Sequence, residues 1–270
     1  MVIADGKKIQ EAVKQSLKEE VMNAGRELHL AVVYVGSNAV IDRFVETKKK
    51  FGEEIGVVAD VFRFEDTVSQ DELIGKIRSL GQDKTYRGII VQLPLPKSVD
   101  AEIVLNTVTA EKDIDVLSLN AMLEYAGGKS PFIPAVPGAI EEILREYNIS
   151  LEGKKIVVVG SGRLVGAPVC DWLQKNGIIP QVVDKDTQNA AAILHGADII
   201  ISGAGSPHFI KPDMVKEGAV LIDAGTSEHG GKLTGDIDPA CAQKASLFTP
   251  VPGGVGPITI AILFRNLLRA

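Results

Sequence analysis

Cysteine is nearly missing from this chain of 270 residues: it has only Cys170 and Cys241. Two such residues far apart give no disulfide framework and no metal-ligand spacing, and both read as small buried hydrophobes. Positive charge is not in excess. The formal net charge is −6, which argues against nucleic acid as a partner, since phosphate binding needs a basic face. No apolar run reaches the roughly 18 residues of a membrane span. The opening MVIADGKKIQEAV lacks the apolar stretch of a signal peptide. The four histidines, His29, His195, His208 and His229, are scattered and read as structural or surface residues. They form no Ser/His/Asp or Cys/His set. There is no tandem repeat and no low-complexity segment. These absences point to a cytoplasmic globular protein, and 45% hydrophobic residues suffice for a sizeable core.

What is present is alternation. Ile9, Val13, Leu17 and Val21 recur at helical spacing within 5–24. LAVVYVG (30–36) reads as a buried strand, 38–55 as a helix, VVADVF (57–62) as a strand, 70–80 as a helix. GIIVQLPLP (88–96) reads as a strand stopped by prolines. Residues 110–120 look like a polar linker and 127–138 a Gly/Pro loop, before a helix over 139–149. A second series follows: strand 154–160, helix 164–177, strand 178–184, then strands at 197–205 and 219–225. Strands alternating with helices imply parallel βαβ units, so the fold class is α/β.

GSGRLVG (160–166) follows a predicted strand and opens a predicted helix. Gly160 suits a tight turn, Gly162 a close approach of backbone to pyrophosphate, and Gly166 close helix–strand packing. The helix N-terminus offers free N–H groups to phosphate. The spacing G-x-G-x-x-x-G is one residue longer than the commonest fingerprint. Asp184 ends the next strand about 20 residues on, where an acid can bind ribose hydroxyls and repel a 2′-phosphate. Arg163 and Lys185 pull the other way, since either could answer a phosphate.

Near the end, PVPGGVGPIT (250–259) packs three prolines and three glycines in front of an apolar helical run. Prolines pre-set φ and lower the cost of ordering the loop, and glycines clear side chains from a surface where a flat ligand could lie. Pro257 suits a first helical turn. Leu93-Pro94 and Val251-Pro252 are candidates for cis bonds.

GIIVQLPLP, GSGRLVGAP and TPVPGGVGPIT, with AVLIDAG and GDID (235–238), resemble the methylenetetrahydrofolate dehydrogenase/methenyltetrahydrofolate cyclohydrolase family, in order and over nearly the whole chain. The resemblance implies two α/β domains around a cleft, usually within a homodimer. Residues 1–118 with 256–270 would form the catalytic, folate-binding domain. Residues 119–255 would form a Rossmann-like NAD(P)-binding domain. It implies oxidation of 5,10-methylenetetrahydrofolate by hydride transfer to NAD(P), with hydrolysis of the methenyl product to 10-formyltetrahydrofolate, in the one-carbon metabolism that serves purine biosynthesis. No metal is implied, and no membrane.

Position by position, the resemblance makes Lys48, Gln92 and Asp115 the catalytic set. Lys48 would assist proton transfer or polarise the attacked centre, Gln92 would contact Lys48 and substrate, and Asp115 would hold the pterin. A carboxylate can accept two N–H bonds from an aminopyrimidinone edge. Asp113 has the same chemistry at the wrong position. Phe44, Pro252, Gly253 and Gly254 complete the substrate side. The cofactor side comprises Gly160, Ser161, Gly162, Arg163, Leu164, Val165, Gly166, Asp184, Lys185, Gly203, Gly225 and Thr226.

The chain also departs from the family pattern. Phe44 stands where the family usually has tyrosine, one helical turn before Lys48. A phenyl ring can stack on a pterin but cannot hydrogen-bond, which would weaken or abolish the cyclohydrolase. Val116-Leu117 replace the common Gly-Phe after Asp115, and PAVP (134–137) replaces Pro-Cys-Thr-Pro. Ser161 stands where Arg is frequent. Asp184 and Lys185 align with a His-Ser pair that greets a 2′-phosphate, so NAD is favoured over NADP. Two alternatives are the same hydride chemistry on a modified pterin such as methylenetetrahydromethanopterin, and a non-catalytic folate- or nucleotide-binding protein.

Overall fold

The computed structural model describes residues 1–25, 27–229 and 232–270. In chain order the strands and α-helices are β1 (Val2–Ile3), α1 (Gly6–Ala24), β2 (Leu28–Val35), α2 (Ala39–Ile55), β3 (Val57–Phe64), α3 (Gln70–Gln82), β4 (Tyr86–Val91), α4 (Ala101–Leu105), α5 (Leu119–Ala126) and α6 (Ala135–Glu146). They continue with β5 (Ile156–Val159), α7 (Gly166–Lys175), β6 (Gln181–Val183), α8 (Ala190–His195), β7 (Ile199–Ser202), β8 (Val220–Asp223), β9 (Ser227–His229), β10 (Lys232–Thr234), β11 (Leu247–Phe248) and α9 (Val255–Arg269). The chain forms two compact units. The first comprises 12–135 and 260–270, the second 1–11 and 136–259. These limits differ from the sequence expectation by placing 1–11 and 256–259 in the second unit and 119–135 in the first.

In the first unit, three parallel strands run in the order β3-β2-β4. The LHLAVVYV run of β2 is central because seven of its eight residues are buried. Ala31, Val33 and Val35 share one face of it, and Leu73, Ile77 and Leu80 of α3 cover that face at helical spacing. Each of the larger side chains here, Val33, Val35, Leu73, Ile77 and Leu80, contributes roughly 1.5–3 kcal/mol by leaving water. Helix α2 is well delimited. The Asn38 side chain accepts from the N–H groups of Val40 and Ile41, and Gly56 closes the helix in the left-handed conformation at φ 87°. The end of α9 packs in this unit, where Phe264 meets Phe51 with ring centroids 5.1 Å apart.

In the second unit, six parallel strands run in the order β1-β11-β8-β7-β5-β6. The buried runs IVVV, IIIS and VLID of β5, β7 and β8 form its middle. The chain steps outward from β5 to β6, then back across β5 to β7. That reversal makes a topological switch point at the carboxyl ends of β5 and β7, where open α/β sheets take ligands.

Several local expectations shift. Helix α6 starts at Ala135 rather than 139, because Pro137 falls in its first turn, where proline is tolerated. The strand expected over 178–184 shrinks to β6, since Ile179 is 89% exposed. The expected linker 110–120 is an anchored segment leading into α5. Among the described residues no helix is long and apolar enough to cross a membrane, and no His/Cys/Asp/Glu cluster could hold a metal. His29 sits between Asp60 and Glu27, at 3.1 and 3.4 Å, which raises its pKa, first through the hydrogen bond to Asp60. His195 ends α8. The side chain of His229 lies outside the described residues.

Candidate active site

In the first unit, α2 and the end of β4 bring Lys48 and Gln92 together. The backbone N–H of Gln92 continues the β4 ladder by donating to Val33 O at 2.8 Å. Its side chain is then fixed at both ends. Oε1 accepts from Lys48 Nζ at 2.6 Å, and Nε2 donates to the carbonyl of Leu93 at 2.8 Å. The Leu93-Pro94 bond that follows is cis. Phe44, half-buried, precedes Lys48 by one turn of α2.

Lys48 is partly accessible yet lies deep in the protein, and burial lowers its pKa against the opposing pull of Asp115. Burial likewise pushes the Asp115 carboxyl up to about 6. Lys48 resists that shift and Asp113 adds to it. Among the described residues, Asp115 makes no hydrogen bond. Asp113 turns inward instead, 3% exposed, and its Oδ2 accepts from the N–H groups of Leu117 at 3.0 Å and Ser118 at 2.6 Å. The inward acid is spent on backbone; the outer one is free for a ligand.

In the second unit, the glycines after β5 divide their work. Gly160 has φ 95°, which an L side chain resists, and a Cβ there would lie 2.8 Å from the carbonyl of Gly203. A Cβ on Gly166 would sit 2.0 Å from the Gly160 carbonyl oxygen, so this glycine serves helix–strand packing. Gly162 has no atom within 4 Å of where its Cβ would be, leaving its backbone open to approach. No side chain caps the start of α7. Ser161 and Leu164 are exposed. Val165 is turned to packing, since a Cβ on Gly203 would come within 2.1 Å of its Cγ1.

Asp184 is exposed at the end of β6. Its Oδ1 accepts from Asp186 N at 3.1 Å and Thr187 Oγ1 at 2.7 Å, and the hydroxyl bond heads the causes that lower its pKa. Lys185 and Thr226 are exposed, and Arg163 is half-buried.

Two buried acids behind these loops escaped the sequence reading. Asp236 accepts from Ser202 Oγ (2.8 Å), Ala204 N (2.7 Å) and Ser206 N (2.7 Å), which pins the loop after β7. Asp223 accepts from the N–H groups of Gly225, Asp236 and Ile237, which pins the loop after β8. Burial raises the Asp223 pKa to about 6. Gly225 has to be glycine here, since a Cβ would lie 2.3 Å from the Asp236 carboxyl. The visible signal was an acid in each of AVLIDAG and GDID: one ends an apolar strand, and a buried acid needs partners.

The proline-glycine loop belongs to the second unit. Gly254 N donates to Pro250 O at 2.7 Å, and Gly6 N to Gly253 O at 2.9 Å. A Cβ on Gly6 would be 1.8 Å from Gly254 O, so the loop seats directly on the start of α1. Gly253, at φ 110°, has open space beside it, and Pro252 is exposed after a cis bond. Helix α9 begins at Val255, so Pro257 lies in its first turn.

A parallel sheet with a glycine turn at its switch point, and a separate α/β unit presenting a Lys–Gln pair and an acid without a hydrogen bond, define a two-unit α/β protein with a dinucleotide-binding half. Comparison makes the class specific. Residues 134–270 match the tetrahydrofolate dehydrogenase/cyclohydrolase NAD(P)-binding domain, and 4–115 match the catalytic domain of the same family. The chain belongs to the tetrahydrofolate dehydrogenase/cyclohydrolase family. It is 39% identical over 275 residues to the bifunctional protein FolD of Campylobacter curvus, covering 100% of this chain and 96% of that one. The crystal structure of FolD, the methylenetetrahydrofolate dehydrogenase/cyclohydrolase of Campylobacter jejuni, superposes with a TM-score of 0.94 at 35% identity, covering 100% of this chain and 98% of that one. The Trypanosoma brucei enzyme, solved with NADP and an inhibitor, superposes at 0.93 with 30% identity, covering 99% and 96%.

Proposed function

We propose that this chain oxidises 5,10-methylenetetrahydrofolate with a nicotinamide dinucleotide and hydrolyses the methenyl product to 10-formyltetrahydrofolate. The first unit takes the folate and the second the dinucleotide. The observation that carries this reading is the Lys48 Nζ–Gln92 Oε1 bond of 2.6 Å beside an unbonded Asp115. The nicotinamide, when bound, supplies the hydride acceptor. Two nitrogens share the cation left on the folate, no proton leaves, and the protein's task in that step is orientation and exclusion of water. Asp115 accepts the N–H groups of the pterin edge, and Gln92 keeps Lys48 directed.

Hydrolysis is different, because the attacking water must lose a proton. Lys48 Nζ, with its pKa lowered by burial, is the group fitted to take it. Phe44 gives the pterin a stacking face without a hydroxyl, which makes this second activity the slower one.

The open backbone at Gly162 and the uncapped start of α7 fit a pyrophosphate, and the exposed carboxylate of Asp184 fits ribose hydroxyls better than a 2′-phosphate. NAD is therefore the preferred cofactor in this reading, and a homodimer is its working form. Initial rates of reduced-nicotinamide formation from methylenetetrahydrofolate, with NAD and NADP in parallel, test it. The expected result is faster reduction with NAD. A strong preference for NADP would overturn the role given to Asp184, and no reduction with either would overturn the activity.

A further inference from the structure

Val116 has φ 57°. A β-branched residue in the left-handed region is a genuine outlier, and one that is 3% exposed cannot relax into solvent. Such strain persists only where its surroundings over-determine it, and it gathers at functional positions. Upstream, Lys112 O accepts from Ile89 N at 2.8 Å, and Ile114 O accepts from Asn266 Nδ2 at 2.8 Å, fixing the segment to β4 and α9. Downstream, Asp113 Oδ2 holds the N–H groups of Leu117 and Ser118, and Ser118 Oγ caps α5 by accepting from Ala121 N. Val116 N also donates to Asp113 O at 3.1 Å. Between the anchors at 114 and 117 the chain arches through Asp115 and Val116, and the Val116 N–H ties the arch back to Asp113.

We propose that Asp113 is a positioning residue for Asp115: by clamping the backbone at 117–118 it imposes the left-handed turn at Val116 and so fixes the direction in which Asp115 meets the pterin. This rests on the reading that Asp115 holds the pterin. The backbone at Val116 keeps a conformation that glycine adopts freely, and a buried acid enforces it under the valine side chain. An ordinary turn to negative φ at Val116 would rotate the following peptide and pull Leu117 N and Ser118 N away from Asp113.

The test is a cycle of Asp113→Ala, Val116→Gly and the double variant, read by KM for methylenetetrahydrofolate, KM for the dinucleotide, and melting temperature. Both N–H groups meet the single oxygen Oδ2, which asparagine could still replace with its amide oxygen, whereas alanine offers no acceptor, so D113A releases the arch. KM for the folate should rise about tenfold or more, the cost of misplacing a binding group, while KM for the dinucleotide stays put. V116G removes the strain, so adding D113A on that background should raise the folate KM and lower the melting temperature much less. V116A keeps the left-handed backbone under a Cβ, so it should melt below V116G, the reverse of the usual Ala/Gly order. Equal effects of D113A on both KM values, no effect on either, or an unchanged penalty in the V116G background would overturn the proposal. If D113A does not fold, the order of V116A and V116G decides, and V116A melting above V116G contradicts the clamp. If wild type reduces no nicotinamide with methylenetetrahydrofolate, the functional reading has failed, and the melting cycle still decides whether Asp113 enforces the turn.

Discussion

Replacing Lys48 with methionine should lower the cyclohydrolase rate by about 10²–10⁴-fold, the range for loss of a positioned proton acceptor. The side chains are similar in length, so packing along α2 changes little. What disappears is Nζ, which has both a lowered pKa and a fixed partner, Gln92 Oε1 at 2.6 Å. Dehydrogenation moves no proton, so it should fall only about fivefold, the ~1 kcal/mol of one net hydrogen bond. The split between the two activities is the diagnostic. It is read by following loss of methenyltetrahydrofolate above its spontaneous rate, and formation of reduced nicotinamide, on the same preparation. A K48M enzyme that hydrolyses the methenyl compound at the wild-type rate would remove Lys48 from the mechanism.

Replacing Asp236 with alanine should cost about 3 kcal/mol of stability or more, out of the roughly 5–15 kcal/mol a domain has. The carboxylate is fully buried and accepts three bonds, from Ser202 Oγ, Ala204 N and Ser206 N. Ser202 is itself fully buried, so its hydroxyl is left without a partner, whereas the Ala204 and Ser206 N–H groups are part-buried and can turn to water. The functional effect should fall on one ligand. The loop released is the one after β7, at the switch point. KM for the dinucleotide should therefore rise at temperatures where the variant is folded, with KM for methylenetetrahydrofolate unchanged. Chemical denaturation measures the first effect and steady-state kinetics the second. A variant with wild-type stability and an unaltered dinucleotide KM would show that Asp236 supports neither.

How much of this was readable beforehand depended on the kind of residue. β2, β5, β7 and β8 stood out because runs such as IVVV have no other way to satisfy themselves than a buried strand. Lys48, Gln92 and Asp115 were legible only through resemblance, since nothing in their spacing brings 48, 92 and 115 together; the sheet order β3-β2-β4 does that. The 110–120 segment was misread as a linker because it is polar. Polarity there serves inward bonds: Asp113 and Ser118 are buried. Asp223 and Asp236 were missed for the same reason, as a charge inside an apolar run says that a partner exists but not which. Ile179 misled in the other direction, an apolar residue left in solvent by a strand of three residues. Thr187, which ties down Asp184, carries no signal short of the turn geometry itself.

The central claim is that the ionised carboxylate of Asp115 holds the pterin. The most direct test is KM for methylenetetrahydrofolate against pH, in wild type and in Asp115→Asn. Burial raises the Asp115 carboxyl to about 6, so it is protonated below that pH, and a neutral carboxyl no longer presents two acceptors. Wild-type KM should climb as pH falls through about 6, approaching tenfold per unit well below it, while KM for the dinucleotide stays flat. In D115N the folate KM should be high at every pH and lack the step. A wild-type KM indifferent to pH across that window, or a D115N enzyme with the wild-type KM, would contradict the account.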